Sequence, residues 1–304
     1  MHIIRPVDIG TTEITATNAV PVNSAWSSAT GYTIGQRAEK SFRVYESVFA
    51  GANTNHDPDT DTANGTVIGT YWQYIEATNS RIMFDYTRSG DEYQTFRSGD
   101  ITVTLEPAQG ITDTIAFFGL TGDTVTITVT DPTDGVVYDE SFDLRDDSAV
   151  YDGYTYCFEP IIKYTELIVD NLPTYGGTEL EIIIDAGVNI AKCGKCIVGF
   201  KKFIGDAVFG TQVGIISYSN VEREFGRAVI QSGDYNRFVD YKIGVETPYN
   251  REVQKLLTGF RDRAIVFIGS EDYLETTLYG VYKDFTLSLD NPAISSLSMR
   301  VEEL

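Results

Sequence analysis

With 304 residues, 42% of them hydrophobic, the chain is long enough for about two domains and too apolar to be disordered. Its 23 Lys+Arg stand against 44 Asp+Glu, a formal net charge of −21. Such a surface repels phosphate backbones, so no nucleic-acid partner is expected. No apolar run approaches the ~18 residues that cross a bilayer, and Met1-His-Ile-Ile-Arg-Pro-Val-Asp8 lacks the basic-then-apolar pattern of a signal peptide. The expectation is therefore no membrane span, no leader, and synthesis in the cytoplasm.

Residues 1–68 are expected to form an extended N-terminal arm and a polar loop. Small and polar residues fill 11–33, and the apolar Ile3, Ile4, Val7 and Trp26 follow no sustained period. Left exposed they would make a patch that soluble monomers avoid, so they are read as an assembly arm that docks on another subunit. Residues 51–65 offer no apolar face. Within them Asp57-Pro-Asp-Thr-Asp61 resembles the start of a calcium loop. Thr62 stands where the turn needs Gly and Ile68 where a bidentate Glu is needed, so a solvated acidic loop is the reading.

Residues 69–204 carry the pattern of an antiparallel jelly-roll β-sandwich. Ile101-Thr-Val-Thr-Leu105 and Thr124-Val-Thr-Ile-Thr-Val-Thr130 alternate as half-buried strands do. Asp131-Pro-Thr-Asp-Gly135 supplies a turn into Val136-Val-Tyr138, and Glu166–Val169 and 179–184 follow without an intervening helix. Residues 205–304 read as a second, α+β sandwich domain carrying one helix at about 248–261. There Tyr249, Val253, Leu256, Leu257 and Phe260 make one apolar stripe, with Thr247 as cap and Pro248 at the first helical position. The fold class is mainly β.

Little in the chain points to chemistry. Cys193-Gly-Lys-Cys196 has the spacing of a zinc half-site, but the third cysteine, Cys157, stands alone and no second pair exists. Buried thiols are the simpler reading. The two histidines, His2 and His56, sit at the terminus and in the polar loop, where no scaffold would hold a base against a nucleophile. No glycine-rich phosphate loop precedes a helix. No catalytic residue, cofactor or metal is expected, and the protein is read as not an enzyme. Two aromatic clusters remain: Tyr71, Trp72 and Tyr74, then Tyr151, Tyr154 and Tyr156. Either could stack on a sugar ring, and either would serve equally in a core or an interface.

Two stretches resemble phage tail proteins. Trp72 followed by Ala77-Thr-Asn-Ser-Arg-Ile-Met-Phe-Asp85, and the strand-turn-strand pattern through Val198-Gly199, resembles the galactose-binding-like jelly-roll module of certain phage structural proteins. Gly210-Thr-Gln-Val-Gly-Ile-Ile-Ser-Tyr-Ser219, Glu224-Phe-Gly226, Tyr279-Gly-Val-Tyr-Lys-Asp-Phe285 and the closing 297–304 resemble the C-terminal domain of the same family. Tyr32 to Arg37, then Tyr45, is similar to its N-terminal lead. Glu302-Glu303 and the missing aromatic after Ser219 depart from the pattern. The resemblance implies a structural component of the tail tip or baseplate, located in the virion and assembled in the host cytoplasm. Its implied partners are copies of itself and other phage tail proteins. A carbohydrate-binding adhesin contacting a host glycan is the alternative.

Overall fold

The computed structural model describes residues 1–304 except 11, 87–92, 107–111, 148–149, 159, 161, 225–226, 271–272 and 290; at 223–224 and 227–229 it describes the backbone only. The protein is mainly β, with antiparallel pairing between its described strands. Its α-helices among those residues are Pro58–Asp61, Gly153–Phe158 and Asn250–Gly259. The chain forms two compact units, Val7–Ile197 and a second made of Met1–Pro6 with Val198–Leu304. The division falls inside the strand Lys195–Phe203 rather than after residue 204.

In the Val7–Ile197 unit a five-stranded sheet runs in the order Gly135–Asp143, Thr124–Asp131, Glu179–Cys193, Thr95–Leu105, Ile14–Thr17. Register aligns its apolar residues in rows. Val125, Ile184 and Ile101 form one, Ile127, Ile182 and Val103 the next, and Val129, Leu180 and Leu105 a third. Every member of these rows is buried, while the threonines between them are mostly half-exposed. The alternation of 124–130 thus reports a sheet with one covered face. Asp131 accepts from the N–H groups of Thr133 and Asp134 (2.8 and 2.9 Å), and Gly135 takes φ +79°, so the expected turn forms. Thr114–Phe118, paired with Glu166–Val169, is buried at all five positions, as a strand covered on both faces must be.

The second unit is built on one sheet. Its strands run in the order 198–203, His2–Pro6, Ile265–Ser270, Tyr273–Ser288, Ile294–Glu303, Tyr235–Glu246, with Asp206–Ala207 and Gln212–Ser217 both against the last. The helix Asn250–Gly259 buries Val253 and Leu257, one turn apart, in a core with Ile3, Tyr241, Phe267 and Tyr282; Leu256 and Phe260 pack on its edge, half-buried. The Tyr282 hydroxyl donates to the Leu257 carbonyl, satisfying a backbone acceptor at the helix end. Thr247 and Pro248 form a 3-10 turn, Thr247–Tyr249, so the α-helix starts two residues later than the cap pattern suggests.

The expectation of an N-terminal arm is corrected here. His2–Pro6 pairs on both sides, with Phe203 through Gly199 and with Ile268 through Val266, and Ile3 and Ile4 are fully buried. Val7 is buried too. Residues 31–77 form their own structure: Arg37–Lys40, Arg43–Ser47 and Trp72–Ala77 make a three-stranded sheet over Tyr32, Ala38, Tyr45 and Trp72. Trp26 packs against that cluster, with the Lys40 ammonium 4.5 Å above its ring. These residues lack a period because Ile3 and Ile4 share one short strand whose partners are distant in sequence, while Val7 and Trp26 are covered from irregular segments.

Truncating Leu257 to Ala should lower the stability of the second unit by about 2–5 kcal/mol, measured by urea unfolding. A loss below about 1 kcal/mol would mean that the helix is not clamped on the sheet.

Candidate functional site

The acidic loop is an internal scaffold rather than a solvated tract. The Asp61 carboxylate accepts from the backbone N–H groups of Thr70, Tyr71 and Trp72 (3.1, 2.8 and 2.8 Å), folding the loop back onto its own exit. Asp59 accepts from the Tyr45 and Ser41 hydroxyls, both at 2.6 Å. Burial and the Asp59 bond push the Tyr45 hydroxyl up to about 12. Asp57 caps the Pro58–Asp61 turn through the Asp59 N–H (3.0 Å) and pairs with Lys40 (2.5 Å). Partial burial works against its charge, but Lys40 and the Asp59 N–H hold its carboxyl below the usual carboxylate range. The loop's oxygens are thus taken up by N–H, O–H and ammonium donors.

The first aromatic cluster is held by this loop. Trp72 is fully buried and donates from Nε1 to the His56 carbonyl (2.8 Å), with its ring 5.0 Å from Tyr32. No sugar can stack on it. Tyr71 lies half-buried between the His56 ring (3.4 Å) and Phe49 (4.8 Å), and Tyr74 half-buried beside Tyr45 (6.1 Å). His56 is thereby occupied as a stacking partner, and His2 lies 5.3 Å from the Phe203 ring.

The second cluster stands in solvent. Tyr151, Tyr154, Tyr156 and Phe158 are exposed on and beside the short helix Gly153–Phe158, Tyr151 at 82%. The rings of Tyr154 and Phe158 lie 4.7 Å apart. The Thr155 N–H donates to Asp152 Oδ1 (2.7 Å) and the Asp152 N–H to Thr155 Oγ1 (3.0 Å), fixing the turn that presents them.

Cys193 and Cys196 are fully buried, and burial pushes the Cys193 thiol up to about 12 and Cys196 well above the ordinary thiol range. Such thiols are poor nucleophiles. Cys157 is exposed. Among the described residues no three His, Cys, Asp or Glu side chains gather as a metal set. Lys195, between the two thiols, is buried at the heart of the motif and donates to the carbonyls of Asp85 (2.7 Å) and Ile82 (3.3 Å). It holds the 82–85 turn against the strand that carries it. Burial pushes its ammonium down to about 8, against the pull of Asp85 and Cys193.

Two surfaces escaped sequence reading. A groove of about 360 Å³ lies in the second unit beside the helix, walled by Phe203, Ile204, Val245, Tyr249 and Leu256, with the Lys202–Glu252 ion pair (2.9 Å) on its lining. The other is a β-ribbon running from residue 208 to 236 that displays Phe209, Val213, Ile215, Tyr218, Val221 and Ile230 to solvent. Their apolar runs mark strands in the sequence, but nothing local says whether those strands are covered. Phe225 and Gly226 of the tail-protein motif lie outside the described residues.

No protein-family profile matches the chain, and no curated protein matches it significantly. Among solved structures it is similar to a fucose-binding module of Streptococcus pneumoniae, at 14% identity and a TM-score of 0.28, covering 39% of this chain and 82% of that one. Among the described residues no helix is long and apolar enough to cross a membrane.

The buried Lys195 has a measurable signature. Its folded-state pKa lies near 8 against an ordinary 10.5, so between those values the unfolded chain binds more protons and stability rises with pH. The unfolding free energy of the wild type should gain on the order of 2 kcal/mol over that of Lys195→Met between the two pH values. Parallel pH profiles for the two proteins would contradict this.

Proposed function

We propose that this chain is a structural component of a tailed-phage virion, at the tail tip or baseplate, that assembles with copies of itself and with neighbouring tail proteins and has no catalytic activity. The observation that carries this reading is the display of large apolar side chains by a protein whose cores are well filled. Phe209 is 99% exposed and Ile230 70%, while the cross-strand rows and the helix-covered core are fully buried. Monomeric proteins seldom leave contiguous apolar surface of more than a few hundred Å² uncovered, so these side chains await partners. The resemblance of Gly210 to Ser219 and Tyr279 to Phe285 to phage tail proteins supports the same assignment, and with it a virion location reached by assembly in the host cytoplasm.

A second reading, contact with a host glycan, is favoured by one feature, the solvent-facing rings of Tyr151, Tyr154, Tyr156 and Phe158. Aromatic faces pack on the C–H faces of sugars, and Asp147 and Asp152 supply acceptors nearby in sequence for hydroxyl groups.

Mass spectrometry of purified particles from a phage encoding the chain, with gold-labelled antibody imaging, tests the assignment. The protein should be present in a fixed ratio to other tail proteins, with label at the tail end. Particles that lack it would contradict the proposal. On a glycan array the assembly reading alone predicts no retained sugar; binding abolished by Tyr154→Ala would establish the second reading.

A further inference from the structure

The ribbon of residues 208–236 departs most from an ordinary protein surface. Gln212–Ser217 pairs with Tyr235–Glu246, and past Ser219 the ribbon continues as Asn220–Glu224 against Arg227–Gln231. Val213 lies opposite Val239, Ile215 opposite Arg237 and Ser217 opposite Tyr235. Directly opposed residues share a face, so Val213, Ile215 and Tyr235 extend the face on which Val239 is buried. Val239 belongs to the core that Val253 and Leu257 of the helix complete. At Val213 and Ile215 that cover has ended, and Ile215 is 63% exposed. Val221 and Ile230, themselves a cross-strand pair, are both exposed further along.

Three properties say what covers this surface. Gln212–Ser217 is an edge strand, with no strand on its outer side among the described residues, and its outward N–H and C=O groups are a template for one more strand. Among the described residues the ribbon beyond Ser219 has two strands alone, an arrangement of marginal stability in water unless another element packs on it. Its charge also suits a like copy. Glu222, Glu224 and Asp234 against Arg223 and Arg227 leave residues 208–236 with one net negative charge out of the chain's −21. Two copies that meet at this segment bring little like charge together, although each chain carries −21. A basic partner, by contrast, would be drawn to the acidic remainder. A segment of interspersed Glu and Arg is complementary to its own reverse, which an isologous contact supplies.

We propose that this ribbon is the self-association surface of the chain, and that its occupant is the same ribbon of a second copy, Gln212–Ser217 lying edge to edge with its counterpart about a twofold axis. The proposal rests on the assembly reading and gives it a surface and a partner. Phe209 and the Val213, Ile215 and Ile230 side chains are its apolar anchors, and the continued sheet pairs the backbone groups of the edge.

Sedimentation velocity of the full chain tests it. The wild type should self-associate with rising concentration, and more strongly with added salt, which screens the repulsion between copies. Ile215→Thr with Ile230→Thr, and separately Phe209→Ser, should weaken association by at least about tenfold while leaving the thermal midpoint of the monomer in place. If the double variant folds poorly, hydrogen exchange on the wild type decides: the Gln212–Ser217 amides should gain protection as concentration rises. A double variant that associates like the wild type would overturn the proposal and place the contact elsewhere. A wild type that stays monomeric throughout would overturn it too, assigning the ribbon to a different tail protein; that result leaves virion membership to the particle experiment.

Discussion

The second unit depends on one inserted strand. His2–Pro6 lies between 198–203 and Ile265–Ser270, hydrogen-bonded along both edges, and sets Ile3 into the core beside Leu257 and Phe267. Without it the sheet would present two raw edges in its interior, each a row of unpaired backbone groups. The fit is close. A Cβ at Gly199 would overlap the Arg5 carbonyl, so glycine is required where the two strands meet. The chain therefore leaves the second unit after Pro6, builds all of Val7–Ile197, and returns at Val198 to finish what it began. Contacts separated by so much sequence close late in folding, since the loop entropy precedes any reward.

Within Val7–Ile197 the carboxylates do structural work that a net charge of −21 conceals. Asp61 gathers three N–H groups around the entry to the Trp72 strand, Asp59 anchors Tyr45, and Asp57 caps a turn. Each replaces water with fixed donors, and bonds to a charged acceptor are stronger than neutral ones. Lys195 shows the opposite sign of the same logic. Its ammonium is buried beside the Cys193 thiol, where the Ile82 and Asp85 carbonyls of the 82–85 turn accept from it in place of water. The exposed apolar residues of the ribbon and of the Gly153–Phe158 helix take no part in the core that Val253 and Leu257 complete.

Sequence pattern revealed the elements whose burial is periodic. Thr124–Asp131 and the helix at Asn250–Gly259 were legible because one face of each is covered and the other solvated. The strand His2–Pro6 was not, since a strand buried on both faces shows only two adjacent isoleucines, and its partners lie about two hundred residues away. The acidic loop was misread for a similar reason: composition shows oxygens, but the N–H groups that occupy them come from residues 70–72. The aromatic clusters mark the limit most clearly. Trp72 and Tyr151 belong to similar local sequences, yet a three-stranded sheet buries one and a six-residue helix exposes the other.

The inserted strand can be tested directly by deleting residues 2–6 and following amide hydrogen exchange by mass spectrometry. The account predicts that Ile265–Ser270 loses its protection and that the Val198–Leu304 segment no longer unfolds cooperatively, while Thr124–Asp131 exchanges as in the intact chain. Undiminished protection at Ile265–Ser270 would contradict it and return the first residues to the role of a free arm.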